Sequence, residues 1–326
     1  MRYSFRLLLI SILAVFLVGP PSNIKAQNAA GITVTPVTDV FDIIPGKTVT
    51  RTVRVINPVV KEITLYPRAL DFHTDNEKGQ PSFFTPKDKT SRWTMSQWMT
   101  FSKPFLRIAP NEEEKFDVII NAPENADPGG HYAAILFSTE EPKLDEDVSQ
   151  IGVVGLVGTL LLAKVPGEII ERLTLEEFVA PRILISPPAN FSILFSNSGN
   201  VHLRPAGELK IRNWFGDTSA AIKINEGEGN VLPESKRRFE TSWQFDWKAF
   251  GRYTATTALY YGTEEKQLIA TRSFIIIPIW FIIVFALLVL RITFAIFKRR
   301  QKKKVVAPPP PPPTAPVSAP PKIVMR

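Results

Sequence analysis

Residues able to do acid–base, nucleophilic or metal chemistry are sparse in this chain. It has three histidines, His73, His131 and His202, no two close in sequence, and no cysteine. Thiolate zinc sites and cysteine nucleophiles are excluded on that ground. No HExxH, G-x-S-x-G or phosphate-loop spacing is present. The carboxylates form two runs, Glu112, Glu113 and Glu114, then Glu140, Glu141, Asp145, Glu146 and Asp147. Both read as solvated loops, because a calcium site needs a defined ligand cage. His131 opens a strand and His202 follows a turn, so both read as solvent-edge residues. The sequence predicts no enzyme, no metal and no cofactor.

What remains that could recognise a ligand is aromatic. Trp243, Phe245 and Trp247 alternate and would share one face of a strand, either as core or as an exposed platform for a sugar or a partner. Phe83, Phe84 and Trp93 lie in a segment, 71–100, that interrupts the strand rhythm, as does Trp98, which reads as core. Insertions often carry function on a sandwich, so this one reads either as a binding surface or as a local mini-core.

The element that must position these residues lies near the end of the chain. Residues 274–290 read FIIIPIWFIIVFALLVL, and the apolar character resumes after Arg291 up to Phe297. This is long enough to cross a bilayer as one helix. Arg291 lies near its far end, where its side chain can snorkel to the headgroups. Lys298, Arg299, Arg300, Lys302, Lys303 and Lys304 follow at once and mark the cytoplasmic side. Residues 1–26 have a positive start, an apolar stretch over 7–18 and a Gly19-Pro20-Pro21 break, the pattern of a signal peptide. The expected location is the cell membrane, single-pass, with an extracellular or periplasmic N-terminal ectodomain and a cytoplasmic C-terminus.

The formal charge of +8 reports that topology. Of 39 Lys and Arg, three lie in the leader and nine from Arg291 onward, leaving 27 against 31 Asp and Glu, an ectodomain balance of −4. Nucleic acid is excluded as a partner by this balance. The tail, 298–326, is basic and then proline-rich and must be extended, either as a spacer or as a ligand for a cytoplasmic proline-binding groove.

Between leader and helix the pattern has period two, with strands at short spacing and polar turns. Residues 48–56 place Val49, Val53 and Val55 on one face; 63–70, 115–121, 131–137, 191–195, 208–212, 218–224, 237–245, 253–260 and 267–274 continue the series. That indicates β-sandwiches rather than βαβ units. The run IGVVGLVGTLLLAKV, 151–165, is too short and glycine-rich for a span and predicts one or two buried strands. The expected fold class is all-β: two immunoglobulin-like β-sandwich domains, 27–167 with the insertion 71–100 and 168–273, then a transmembrane helix over 274–297 and a disordered proline-rich tail.

The two halves read as a diverged repeat. Val55-Ile56-Asn57, Leu106-Arg107-Ile108-Ala109-Pro110 and Gly130-His131-Tyr132 match Phe195-Ser196-Asn197, Val231-Leu232-Pro233 and Gly251-Arg252-Tyr253 in order. The tyrosines could pin sandwich corners with their hydroxyls.

The stretch from Trp98-Met99-Thr100 through FLRIAPNEEEKFDVIINAPENADPGGHYAAILF resembles the N-terminal immunoglobulin-like domain of the bacterial WxL-interacting cell-surface proteins. The layout of signal peptide, two such domains, membrane helix and basic tail is shared with that family. The Pro-polar turn, N-A-P-E-N-A-D-P-G-G and the following tyrosine strand are shared more loosely with pilus-chaperone-like domains. The resemblance implies binding to cell-wall polymer or to partner surface proteins. The function expected is non-enzymatic binding at the cell surface, with a membrane-tethered chaperone or assembly factor, or a structural spacer, as alternatives.

Overall fold

The computed structural model describes residues 31–85, 91–141 and 157–303. The signal peptide, most of the acidic run, the first part of the 151–165 run, Lys304 and the proline-rich tail lie outside them.

Two β-sandwiches follow one another. In the first, one sheet has the order β1 (Thr33–Thr35), β3 (Thr48–Ile56), β8 (Glu113–Asn121), β6 (Met99–Phe101). The facing sheet has the order β2 (Thr38–Asp42), β10 (Val157–Val165), β9 (Gly129–Ser138), β4 (Ile63–His73), β5 (Ser82–Phe84), and β7 (Leu106–Ile108) pairs with the start of β4. Alternation sets the inner faces. Val53 and Val55 of β3 and Phe116, Val118 and Ile120 of β8 point inward against Ala133, Ile135 and Phe137 of β9. The intervening Arg54, Lys115 and Asp117 stay at the surface, as a half-buried antiparallel sheet requires.

The second sandwich repeats the plan. One sheet runs β11 (Leu173–Val179), β13 (Ala189–Asn197), β16 (Ser235–Trp243). The other runs β12 (Ile183–Leu184), β18 (Lys266–Ile276), β17 (Gly251–Tyr261), β14 (Ala206–Asn213), β15 (Thr218–Ile224). In both sandwiches the first strand crosses over: β2 and β12 leave the sheet of β1 and β11 and pair parallel with the last strand, β10 or β18. The sheet sandwiches are immunoglobulin-like in this sense.

The repeat holds to individual hydrogen bonds. Asn57 is fully buried; its amide donates to the carbonyls of Lys61 (2.8 Å) and Ile108 (3.0 Å), and its oxygen accepts from the Val59 N–H (3.1 Å). Asn197 donates to Val201 and Val231 (both 2.8 Å) and accepts from the Gly199 N–H (2.9 Å). The residue after each paired proline, Asn111 or Glu234, has positive φ, 59° or 57°.

The helix α1, Ile279–Lys303, holds a candidate membrane span over Ile279–Arg300. Its 25 residues make about 37 Å of helix, enough for a hydrocarbon core. It begins later than the apolar run suggests. Phe274 and Ile276 are apolar because they end β18 and fill the second core, at 1% and 0% exposure. Pro278 immediately precedes the helix, and its carbonyl accepts the Phe281 N–H at 2.9 Å.

Candidate functional site

The aromatic residues singled out by sequence do not form one surface. Strand β16 ends at Trp243, so Phe245 and Trp247 stand in the following loop rather than on a shared strand face. Trp243 and Phe245 turn into the second core, their rings 5.4 Å apart, while Trp247 is 68% exposed. In the insertion, Phe84 is buried, and Phe83 and Trp93 are half-buried against a small cluster of their own. Of the basic residues expected to set topology, Arg291, Lys298, Arg299 and Arg300 lie on α1 at its exposed surface.

That cluster explains the insertion. Strand β9 reads as a continuous apolar run because it is buried on both faces. Its outer face carries Tyr132, Ala134 and Leu136, packed with Leu70, Phe72, Leu162 and, from the second sandwich, Leu232. The insertion is held over this face by a buried carboxylate. Asp71 accepts the N–H groups of Met95 and Ser96 (both 2.8 Å) and the Ser96 hydroxyl (2.6 Å), and these fix the single 3-10 turn, Ser96–Trp98. The described residues of the insertion therefore contribute a mini-core that packs against both sandwiches.

It also caps an edge. Strand β16 borders its sheet, and the Arg238 N–H there donates to the Glu77 carbonyl of the insertion at 2.6 Å. The Arg238 guanidinium bridges the carboxylates of Glu77 (2.7 Å) and Glu177 (2.9 Å).

The centre of the seam is polar. Asn200 accepts the Gly130 N–H on its carbonyl (2.8 Å) and the Ile170 N–H on its side chain (2.7 Å). Gly130 has no room for a side chain: a Cβ there would stand 1.8 Å from the Tyr132 hydroxyl. Tyr132 does not pin its own sandwich corner. Its hydroxyl crosses the seam to His202, 3.4 Å from Nδ1. Tyr253, by contrast, packs within its own sandwich, its ring stacked on Phe274 with centroids 5.7 Å apart. Burial raises the Tyr132 phenol well above its usual range, so it stays protonated. His202 is pushed down to about 4 by burial and by the nearby charges of Lys164 and Arg204. His131 is buried too, its ring nitrogens facing the carbonyls of Asp127 (2.9 Å) and Thr94 (3.1 Å). His131 is therefore covered by the insertion rather than at the solvent edge, and His202 is half-buried in the seam. Elsewhere along the seam a cavity of about 160 Å³ lies between Leu160 and Leu162 of the first sandwich and Leu232 and Arg237 of the second. Burial lowers the Arg237 guanidinium's pKa, and it donates to the Asn230 carbonyl at 2.8 Å. Among the described residues no group of three or more His, Asp or Glu could hold a metal ion.

Sequence reasoning missed Asn200, His202, Leu232 and the Glu77–Arg238 bridge as seam residues. Each is unremarkable in its own segment, and only docking brings them together.

The remaining feature is a sheet edge that has no strand partner among the described residues. Where β1 crosses to β2, pairing with β10 begins only at Leu160, whose N–H donates to the Val37 carbonyl (2.9 Å). Val157, Gly158 and Thr159 pair with β9 alone among the described residues. With a period of two, the Gly158 N–H and C=O point to the same side as those of Leu160, but among the described residues no strand meets Gly158 there. The matching edge of β18 is blunted. It carries Lys266 and Arg272, and Arg272 donates across to the Phe178 carbonyl of β11 at 3.1 Å. That end of β10 carries no charge.

No protein-family model matches this chain, and no curated protein does either. Solved structures of similar fold include the class 5 fimbriae chaperone CfaA, at 13% identity over 74% of this chain and 99% of that one, with a TM-score of 0.36. The CupB2 chaperone of Pseudomonas aeruginosa gives 10% identity, 74% and 99% coverage and a TM-score of 0.35. The E. coli chaperone DraB gives 10%, 74% and 95%, and 0.34. These likenesses concern the fold alone.

Proposed function

We propose that this chain is a membrane-tethered envelope factor, without enzymatic activity, that takes up extended segments of partner surface or exported proteins by strand addition, as a chaperone or assembly factor does. The reading rests on the uncharged, one-sided end of β10, Val157 to Thr159. Unpaired backbone groups on such an edge are a template for a further strand, and a natural protein that leaves one unblunted invites a partner. The adjoining sequence over 151–156, IGVVGL, extends the same uncharged character. Orientation with both sandwiches outside follows the basic residues after Phe297. A WxL-interacting type of role, with a surface protein as partner, is one form of this proposal. Binding of wall polymer is less supported, since Phe84 and Phe245 are buried and Phe83, Trp93 and Trp243 are half-buried. The spacer reading keeps one observation of its own, the tight docking of the sandwiches through Leu232, Asn200 and Arg238.

The test is a photo-reactive amino acid at Val157, with Val60 and Ile269 as exposed controls, in the full chain in its native envelope. Adducts from position 157 that map to extended segments of exported proteins support strand addition. Adducts equal at all three positions, or none from 157, overturn it.

A further inference from the structure

The end of the second sandwich from which α1 emerges carries an unusual surface. Register places several loops there. Gly251 pairs with Ile276, two residues before Pro278, which immediately precedes the helix. Asn213 pairs with Tyr253 on the neighbouring strand, so the turn after Asn213 reaches the level of Gly251 and Ile276. Leu184 accepts the Ile277 N–H, which brings Ile185 to the same end. The loop after β16 returns there as well, leading into Gly251.

Large apolar side chains stand exposed on these loops. Trp214 is 67% exposed, Phe215 76%, Trp247 68% and Ile185 51%. The turn holding Trp214 and Phe215 is ordered rather than slack. Asn213 Oδ1 accepts the N–H groups of Phe215 (3.0 Å) and Asp217 (2.9 Å), and Gly216 takes a φ of +94° to close the turn. The two rings lie 4.8 Å apart. A rigid turn that displays a pair of such side chains has an apolar or amphipathic environment to meet.

The helix supplies that environment's position. The Trp280 indole N–H donates to the Trp247 carbonyl at 2.9 Å, and Phe250 packs on Phe281 with centroids 4.7 Å apart. Helix start and loop thus move as one body. From Trp280 to Lys298 is 18 residues, about 27 Å of helix, so these two residues bracket one hydrocarbon core. Trp280 then sits at the outer boundary, where tryptophan is favoured. Only about three residues of chain, under ~10 Å, separate Ile276 from that boundary. A folded partner domain has no room there; a headgroup layer does.

We propose that this end of the second sandwich docks on the bilayer itself, with Trp214, Phe215 and Trp247 seated in the headgroup layer of the leaflet from which α1 emerges. The chain would then be held upright by one spanning helix and one interfacial aromatic foot, which fixes the orientation of both sandwiches above the membrane. This rests on reading α1 as a membrane span, and the experiment separates the two statements.

The chain has no cysteine, so single labels need no background removal. Phe215→Cys, Leu287→Cys and Glu264→Cys are each labelled with an environment-sensitive fluorophore. Each full chain is reconstituted into phosphatidylcholine vesicles with and without nitroxide-bearing headgroups or acyl chains. Glu264 belongs to the β17–β18 turn at the opposite end of the sandwich. The expected result is a blue-shifted Phe215 label quenched by headgroup nitroxide, a Leu287 label quenched by acyl-chain nitroxide, and a Glu264 label unaffected by either. A Leu287 label in the bilayer with an unquenched, water-like Phe215 label overturns the foot and leaves the span standing. A blue-shifted Phe215 label without lipid quenching assigns the surface to a second copy and also overturns it. A Leu287 label that stays in water removes the span and the foot together.

Discussion

Acidification should weaken the seam through one residue, His202. In the docked state its ring is neutral. The Tyr132 hydroxyl lies 3.4 Å from Nδ1, and Lys164 and Arg204 stand near enough to oppose a charge. Its pKa falls from 6.5 to about 4 on folding, so the unfolded chain binds a proton that the folded chain refuses in that interval. The stability His202 contributes is therefore complete above about pH 6.5 and is lost as pH falls toward 4. The displacement corresponds to at most about 3 kcal/mol, and the ring's residual exposure makes ~2 kcal/mol the working figure. The perturbation is His202→Gln, which cannot take up the proton. Denaturant unfolding of the full chain in detergent is followed at pH 7.5, 6.0, 5.0 and 4.5 for parent and variant. The parent should lose ~2 kcal/mol more than the variant between pH 7.5 and 4.5, with the excess concentrated below pH 6. Every other group is common to both proteins and cancels in the difference. Parallel pH profiles would refute the burial argument for His202.

Three further outcomes follow from the same geometry. Asn57→Ala and Asn197→Ala each strand buried backbone groups at a strand end and should cost ~3 kcal/mol each in the same unfolding assay, with similar size because the hydrogen bonds correspond. Leu232→Ala removes the second sandwich's side chain from the mini-core and should cost roughly 2–3 kcal/mol, with broadened inter-sandwich distances by spin-label ranging between Val60→Cys and Glu264→Cys. Gly130→Ala should broaden the same distances, because its Cβ cannot coexist with the Tyr132 hydroxyl at 1.8 Å.

The strands were legible because their inner faces alternate. Residues 218–224 are found as read, and 48–56 carry Val53 and Val55 inward as expected. The repeat was legible because the same Asn and Pro turn chemistry recurs, and those residues make matching hydrogen bonds in both halves. The helix start was misplaced because core and lipid select the same residue types: nothing in FIIIPIW marks where Ile276 stops filling a sandwich, except Pro278. Trp243, Phe245 and Trp247 read as one face because alternation is blind to where a strand ends. The seam was illegible for a different reason. Tyr132 and His202 lie 70 residues apart, and their meeting depends on how two folded units dock, which no local pattern encodes.

The most direct measurement of strand uptake is amide exchange across β10 in the full chain, free and after isolation with its envelope partner. Gly158 should exchange fast in the free chain, while Leu162 and Lys164, paired with β2, exchange slowly. In the complex Gly158 should become protected, with the charged β18 edge unchanged. A Gly158 amide already protected in the free chain, or one as exposed in the complex as without it, would contradict partner capture at this edge.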